Sequence, residues 1–325
     1  MARWTVRAVL GLALLAGGYL AVAGWMLARG ADRLLEVGTI GALVAPDAPV
    51  ADPFALGFRG DPEAALGLAF ETVTVDTPLG PAPAWLVPGA RDAADNATEG
   101  AGLAAVYVHG VAGAREDGFR HLSVLHEAGL TVLLISYRND PDAPPAPEGH
   151  YAMGTTEWRD LEAAVTLMVD LGHARLLLVG ESMGGAIVGH FLRRSPMAGH
   201  VVAVALDSPA LDFRAVLGHL AAQQRLPVPG AVGWVAREIV SRRGPVDLRD
   251  SDVTGAVAGF DGPLFLAHGT GDRIVPAAIS DRLIARRAAP TLHLRTRADH
   301  LQSWHADPRA YRAALAAFLA ALPDG

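Results

Sequence analysis

The sequence predicts an α/β fold built on a doubly wound, mostly parallel sheet, and three observations carry that prediction. Short apolar runs such as Leu103–Val108 and Ala174–Val179 alternate with longer amphipathic stretches such as Thr155–Leu171. Strands covered by helices on both faces read as continuous apolar runs, so this alternation points to a parallel sheet. The run Ala174–Val179 also feeds straight into Gly180-Glu181-Ser182-Met183-Gly184 and then a helical stretch, Ala186–Arg194. The two glycines leave room for a sharp turn in which Ser182 takes a strained conformation, its hydroxyl held above the sheet. Finally, 51% of residues are hydrophobic and 19% charged, a composition that supplies a large core and argues against disorder.

In chain order, the first segment stands apart. Residues 8–28 carry no charge between Arg7 and Arg29 and as a helix would extend about 31 Å, close to the hydrocarbon thickness of a bilayer. Trp4, Tyr19 and Trp25 lie in or beside the run. A secretory signal peptide is the alternative, with Arg3 and Arg7 as its basic region, Ala8–Leu20 as its apolar region and Ala21-Val22-Ala23 as its cleavage site. The run stays apolar through Gly24–Ala28, which favours an uncleaved transmembrane anchor over residues 1–30; a soluble core helix is a third option. With an anchor, the rest of the chain is expected outside the cytoplasm; with cleavage, it is secreted. Residues 31–70, rich in Gly, Ala and Pro, read as a linker and lead-in to a domain over 71–325.

Within that domain, Glu71–Asp76 and Pro83–Val87 read as strands joined by a turn at Thr77-Pro78-Leu79-Gly80. The polar stretch 91–102 reads as a surface loop, and its Asn96-Ala97-Thr98 matches a glycosylation sequon by chance. Strand Leu103–Val108, helix Arg115–Ala128, strand Leu130–Ser136 and helix Thr155–Leu171 precede the serine turn. Strands Val201–Leu206 and Pro263–Ala267, helix Pro276–Arg287, strand Thr291–Leu294 and helix Pro308–Leu322 follow it. The interval 211–257 breaks the rhythm with two amphipathic stretches, Phe213–Gln223 and Val232–Ser241, around Leu226-Pro227-Val228-Pro229-Gly230. An insertion after the sixth strand sits above the strand C-termini, where open α/β sheets bind ligands, so it reads as a helical cap.

Several chemistries are excluded or disfavoured. The net charge is −7 and its basic residues, all arginine, are scattered, so nucleic-acid binding is not expected. The absence of cysteine removes disulfides, thiolate nucleophiles and Cys-based zinc sites. No H-E-x-x-H pattern is present, and neither a metal nor a cofactor is expected.

A serine nucleophile needs a base to take its proton and an acid to orient that base. Asp272 lies in a Gly-rich turn, His268-Gly269-Thr270-Gly271-Asp272, between a strand and a helix, and His300 follows the next strand. Asp207 after the sixth strand is the rival acid and His305 the rival base. His293 reads as a packed or surface residue and Glu181 as a structural hydrogen-bonding one. The Met183 N–H, at a helix N-terminus, and the Val111 N–H, in the loop His109-Gly110-Val111-Ala112-Gly113, are the expected oxyanion donors.

Taken together, His109-Gly110, Gly180-Glu181-Ser182-Met183-Gly184, the Asp272 turn with Ile274-Val275-Pro276, and Ala298-Asp299-His300 followed by Trp304 resemble the α/β-hydrolase superfamily over about residues 70–322. Stretches such as Ser136-Tyr137-Arg138-Asn139-Asp140 and Glu157-Trp158-Arg159-Asp160 are similar to bacterial members with an N-terminal membrane segment. The pair Ala298-Asp299 departs from relatives that carry a glycine there. Tyr137–Asp140 is expected either to shape the pocket rim or to form a salt-bridged loop. The resemblance implies a Ser182–Asp272–His300 triad that hydrolyses carboxylic esters, or a related thioester, amide or peptide, without a cofactor. The apolar cap and the membrane helix fit a lipid-like small-molecule ester. A non-catalytic, membrane-tethered binding protein would lack a triad member.

Overall fold

The computed structural model describes residues 2–46, 48–89 and 102–323; the Asn96 sequon and nearly all of its loop lie outside the described residues. Among them, strands β1 (Glu71–Thr77), β2 (Gly80–Val87), β3 (Leu103–Val108), β4 (Val132–Ile135), β5 (Arg175–Glu181), β6 (Val201–Asp207), β7 (Leu264–Gly269) and β8 (Thr291–Thr296) form one sheet. Its order is β1-β2-β4-β3-β5-β6-β7-β8. The hairpin β1–β2 joins β4 antiparallel, and every other pairing is parallel.

Twelve helices of α type complete the described chain: α1 (Ala2–Leu35), α2 (Thr39–Val44), α3 (Pro62–Leu66), α4 (Phe119–Glu127), α5 (Trp158–Asp170), α6 (Met183–Arg194), α7 (Phe213–Gln223), α8 (Pro229–Arg243), α9 (Thr254–Ala258), α10 (Ala278–Arg286), α11 (Ser303–Ala306) and α12 (Pro308–Ala320). Alternate strand residues face opposite ways. Leu176 and Leu178 enter the core shared with α5, α6 and α10, whereas Leu177 and Val179 enter the core shared with α4 and α12. Both faces are dry, which is why the central strands carry no polar alternation.

Element boundaries shift where close packing decides them. The helix expected from Ala186 begins at Met183, directly after Ser182. That start requires glycine: a Cβ on Gly184 would sit 2.2 Å from the Val108 carbonyl oxygen. A 3₁₀ turn, Arg115–Gly118, precedes α4. His305 lies in the separate short helix α11, because Asp307 interrupts the chain to cap α12 through the Ala310 amide at 2.9 Å.

Residues 31–70 pack against the body. Leu35 and Val37 make backbone hydrogen bonds to Tyr151 and Gly149 at 2.8 and 3.0 Å. Phe54 meets Trp304 and Phe58 meets Phe119, with ring centroids 5.4 and 6.0 Å apart. Helix α1 runs on past the uncharged segment for 34 residues, about 51 Å. It is long and apolar enough to cross a membrane. Its first half is bare, with Trp4 78% and Leu14 77% exposed, while Ala23, Leu27, Ala28, Ala31 and Leu35 are buried where α1 packs on α8.

Beneath the serine turn lies a buried ionic cluster. The Arg120 guanidinium, without solvent exposure, donates to Glu181 at 2.5 Å; Tyr107 donates to the other carboxylate oxygen at 2.8 Å. Burial alone would raise the Glu181 pKa, but Arg120 and the neighbouring hydroxyl and imidazole outweigh it and hold the group ionised. Tyr311 bridges the cluster to Asp207 at 2.9 Å.

Two outcomes follow. Gly184→Ala should destabilise the chain by about 2 kcal/mol or more through overpacking against backbone, whereas Gly199→Ala, with nothing within 4 Å of the new methyl, should be near neutral by urea denaturation. Arg120→Met should cost about 3–5 kcal/mol, because it leaves the Glu181 carboxylate buried without its cation.

Candidate active site

The turn after β5 holds Ser182 at φ 50° and ψ −114°, a region that a residue with a Cβ occupies only under strain of about 1–3 kcal/mol. Ala112, Ser208 and Leu301 also have positive φ. These four lie in loops at the C-terminal edge of the sheet, as does Asn139 after β4, while Met153, Arg225 and Val228 take positive φ elsewhere. Strain clustered at one sheet edge marks a site that the surrounding fold over-determines.

Those loops bring three distant side chains into line. The Ser182 hydroxyl lies 2.9 Å from His300 Nε2, and His300 Nδ1 lies 2.7 Å from Asp272 Oδ2. With Nδ1–H donating to the carboxylate, Nε2 presents its lone pair to the hydroxyl proton, the tautomer a general base requires. Of the rivals, Asp207 is committed to Tyr311 and Ser208, and His305 faces Asp52 at 3.7 Å. His293 is half-buried in β8.

Asp272 is almost fully buried. Burial alone would raise its pKa, but hydrogen bonds from His268 and His300 and from the Val275 amide outweigh it and hold the carboxyl well below the usual carboxylate range. His268 Nε2 lies 3.2 Å from Asp272 Oδ2, while its Nδ1 faces the Ser280 hydroxyl at 2.6 Å. His268 carries a readable signal of this role in the sequence, a histidine at the end of a buried apolar run four residues before the aspartate. From the interval expected to form a cap, His219 on α7 donates to the Asp272 carbonyl at 3.1 Å, and Gln223 bonds the Arg273 carbonyl. Asp299 accepts the His300 and Arg273 amides at 2.8 and 2.9 Å. The Asp299 carboxylate thus braces the loop that carries His300.

The loop bearing Val111 is braced from behind. Gly110 is packed so closely on the nucleophile that a Cβ would come 3.1 Å from Ser182 Cβ. His109 donates to the Gly110 carbonyl at 2.8 Å and faces Asp140 at 2.9 Å. Burial disfavours charge on this imidazole, but the Asp140 carboxylate outweighs it and raises the pKa. Arg138 is bidentate to Asp160 at 2.8 and 2.7 Å. Tyr137–Asp140 is therefore a salt-bridged loop that fixes the strand-end loop behind the site. The Val111 and Met183 amides donate in no hydrogen bond described among these residues, so both remain available to an oxyanion.

Ser182 and His300 open into a cavity of about 1260 Å³. Its far wall comes from the lead-in, including Ile40, Pro46, Val50 and Leu56, and the cap contributes Gln223. This wall was illegible in a stretch whose Gly, Ala and Pro content reads as linker. His121, Glu181 and Asp207 lie close enough together to hold a metal ion by distance. Arg120 already occupies the face of Glu181 they would share, so the donor set does not fit a cation.

No protein-family model matches the chain. It is 26% identical over 220 residues to the uncharacterized protein YfhR of Salmonella typhimurium, covering 63% of this chain and 65% of that protein. It is 31% identical over 199 residues to the uncharacterized protein Rv2307c of Mycobacterium tuberculosis, covering 59% and 60%. The matched region spans less than two thirds of each of these relatives. Among solved structures, the esterase Pf2001 of Pyrococcus furiosus superposes with a TM-score of 0.60 at 17% identity, over 85% of this chain and 97% of that one. The esterase EaEST of Exiguobacterium antarcticum gives 0.55 at 15% identity, over 77% and 100%. XC6422 of Xanthomonas campestris, described as an a/b serine hydrolase without lid, gives 0.52 at 15% identity, over 79% and 96%. With the sheet order and the strained serine turn, these likenesses identify the chain as a protein of the α/β-hydrolase fold.

Proposed function

We propose that this chain is a membrane-anchored serine hydrolase that cleaves lipophilic carboxylic esters through an acyl-enzyme intermediate. The observation that supports the reading most is the hydrogen-bonded line Ser182–His300–Asp272, at 2.9 and 2.7 Å, beside a cavity of about 1260 Å³. Ser182 Oγ attacks the ester carbonyl as His300 Nε2 takes its proton, and the imidazolium that forms is stabilised by Asp272. The Met183 and Val111 amides receive the developing oxyanion. Collapse of the tetrahedral intermediate expels the alcohol, protonated by His300; water then attacks the acyl-enzyme by the same steps in reverse roles. A lowered Asp272 pKa serves this cycle, because the acid stays ionised whenever the imidazole must become charged.

The apolar character of the cavity wall supports an acyl chain as its occupant. For placement, the docking of the second half of α1 on α8 supports an anchor retained in the mature chain. The proposed arrangement is a single pass through the membrane with the hydrolase domain, residues 71–325 with the cap at 211–257, on the extracytoplasmic side.

A fluorophosphonate probe should label the chain at Ser182. Ser182→Ala should abolish labelling and lower kcat by roughly a million-fold, and Asp272→Asn by roughly ten-thousand-fold, with the fold retained by circular dichroism. Absence of labelling in the folded chain would reject the hydrolase. For p-nitrophenyl esters, kcat/KM should rise from acetate to octanoate by up to about fourfold per methylene, the equivalent of about 0.8 kcal/mol. A preference for acetate, or for thioesters or aminoacyl amides, would reject the lipophilic-ester assignment while leaving the nucleophile intact.

A further inference from the structure

Helices α1 and α8 lie side by side and run in the same direction. The Tyr19 hydroxyl donates to the Pro227 carbonyl at 2.9 Å. Further along, a Cβ on Gly24 would sit 2.3 Å from Val235, and one on Gly244 would sit 3.0 Å from Asp32. The tip of the α7–α8 hairpin is therefore level with Tyr19, in the middle of the uncharged run 8–28. On the helix rise, that level is about 9 Å from Trp25 towards the N-terminus of α1.

The chemistry of the hairpin follows this register. From Leu226 to Ala236 no residue is charged, and the only hydrogen-bonding side chain is the Trp234 indole. Val232, Gly233 and Ala236 are buried, yet the outward residues are apolar as well: Val228 is 59% and Trp234 49% exposed. A helix apolar on both its packed and its outer side gains nothing from water on the outer one. Charge returns within α8 at Arg237 and Glu238, which pair at 2.6 Å, and the last turn carries exposed Arg242 and Arg243, level with Arg29 and Arg33 of α1, with Arg242 3.3 Å from Glu238. Arg225, the charge nearest the tip, has a stem long enough to carry its guanidinium up to the headgroups.

Resting on the anchor reading above, we propose that the α7–α8 hairpin is a second membrane-contacting element, and that its partner is the lipid surface around α1. Trp25 marks the headgroup level, Val228 and Trp234 lie among the upper acyl chains below it, and the four arginines stand about 6–12 Å beyond it on the water side, where their long stems face anionic headgroups. Because His219 and Gln223 of α7 hold the Asp272 turn, the same hairpin sets the catalytic cavity close to the bilayer. An ester that enters it need not cross water.

The chain has no cysteine, so single replacements can carry a nitroxide label in the full-length protein. Val228→Cys, Leu12→Cys on α1 and Leu171→Cys, 41% exposed at the sheet end opposite Ser182, are reconstituted in phosphatidylcholine–phosphatidylglycerol nanodiscs. Collisions with oxygen and with a water-soluble nickel chelate are measured, and ester hydrolysis is assayed on the same samples. The expected result is a lipid-phase signature at position 228, about 5–10 Å below the phosphates, a deeper one at 12, and an aqueous one at 171. An aqueous signature at 228 with a lipid one at 12 overturns the hairpin proposal and leaves the anchor standing. Aqueous signatures at both reject the anchor itself, and the proposal with it. Shielding of 228 from both reagents, with dipolar broadening, would assign the surface to a second copy and overturn the lipid partner. Loss of hydrolysis in unlabelled protein bears on the nucleophile alone.

Discussion

The C-terminal edge of the sheet depends on one backbone constraint, the turn that holds Ser182 at φ 50°. A serine in that conformation lifts its hydroxyl clear of the sheet, and it directs the two neighbouring residues elsewhere. Glu181 turns down into the core, where Arg120, Tyr107 and His121 surround it. Met183 opens α6 with an amide that donates in no hydrogen bond among the described residues. The strain is opposed by close packing, since Gly184 lies against the end of β3 and Gly110 against the nucleophile. An ion pair sealed from solvent contributes little net stability, because desolvation offsets most of its attraction. Its value here is positional: it leaves Glu181 only one place to go, which fixes the residue before the serine.

Asp272 and His300 are held by a different principle. Asp272 receives hydrogen bonds at both carboxylate oxygens, from the Ile274 and Val275 amides on one and from His300 with His268 nearby on the other. A carboxylate with this many donors is the stronger partner in every pairing it makes. The His300 ring is thus oriented by an anion that cannot rotate away, and helix α7 clamps the backbone of the same turn. Helix α7 and the Asp272–His300 pair are mechanically one unit at this point.

Much of the site was legible because its chemistry is local. The serine turn, the Gly-rich acid turn and the histidine after the last strand each announce themselves through neighbours in sequence, and the strand runs were readable because both sheet faces are dry. What escaped notice was long-range. Arg120 sits in an amphipathic helix, where an arginine reads as a solvated charge, and only the fold turns it under Glu181. Residues 40–59 have the composition of a linker, and their role as a cavity wall depends on Phe54 and Phe58 finding Trp304 and Phe119. The end of α1 could not be read from charge either. Arg29, Asp32 and Arg33 close the apolar run, yet the helix persists to Leu35 because Ala28, Ala31 and Leu35 bury themselves on the body.

The paired backbone bonds that join Leu35 and Val37 to Tyr151 and Gly149 remove the swivel that a flexible stalk would provide. A globule on a loose leash samples every orientation, and its mouth meets its surroundings at random. Here the long helix acts as a fixed axle, so the tilt of that one rod dictates the direction in which the cavity opens. If the rod is the proposed membrane anchor, any change in the thickness or curvature of the bilayer would re-aim the whole body that carries Ser182, coupling its output to the mechanical state of its environment without a dedicated sensor.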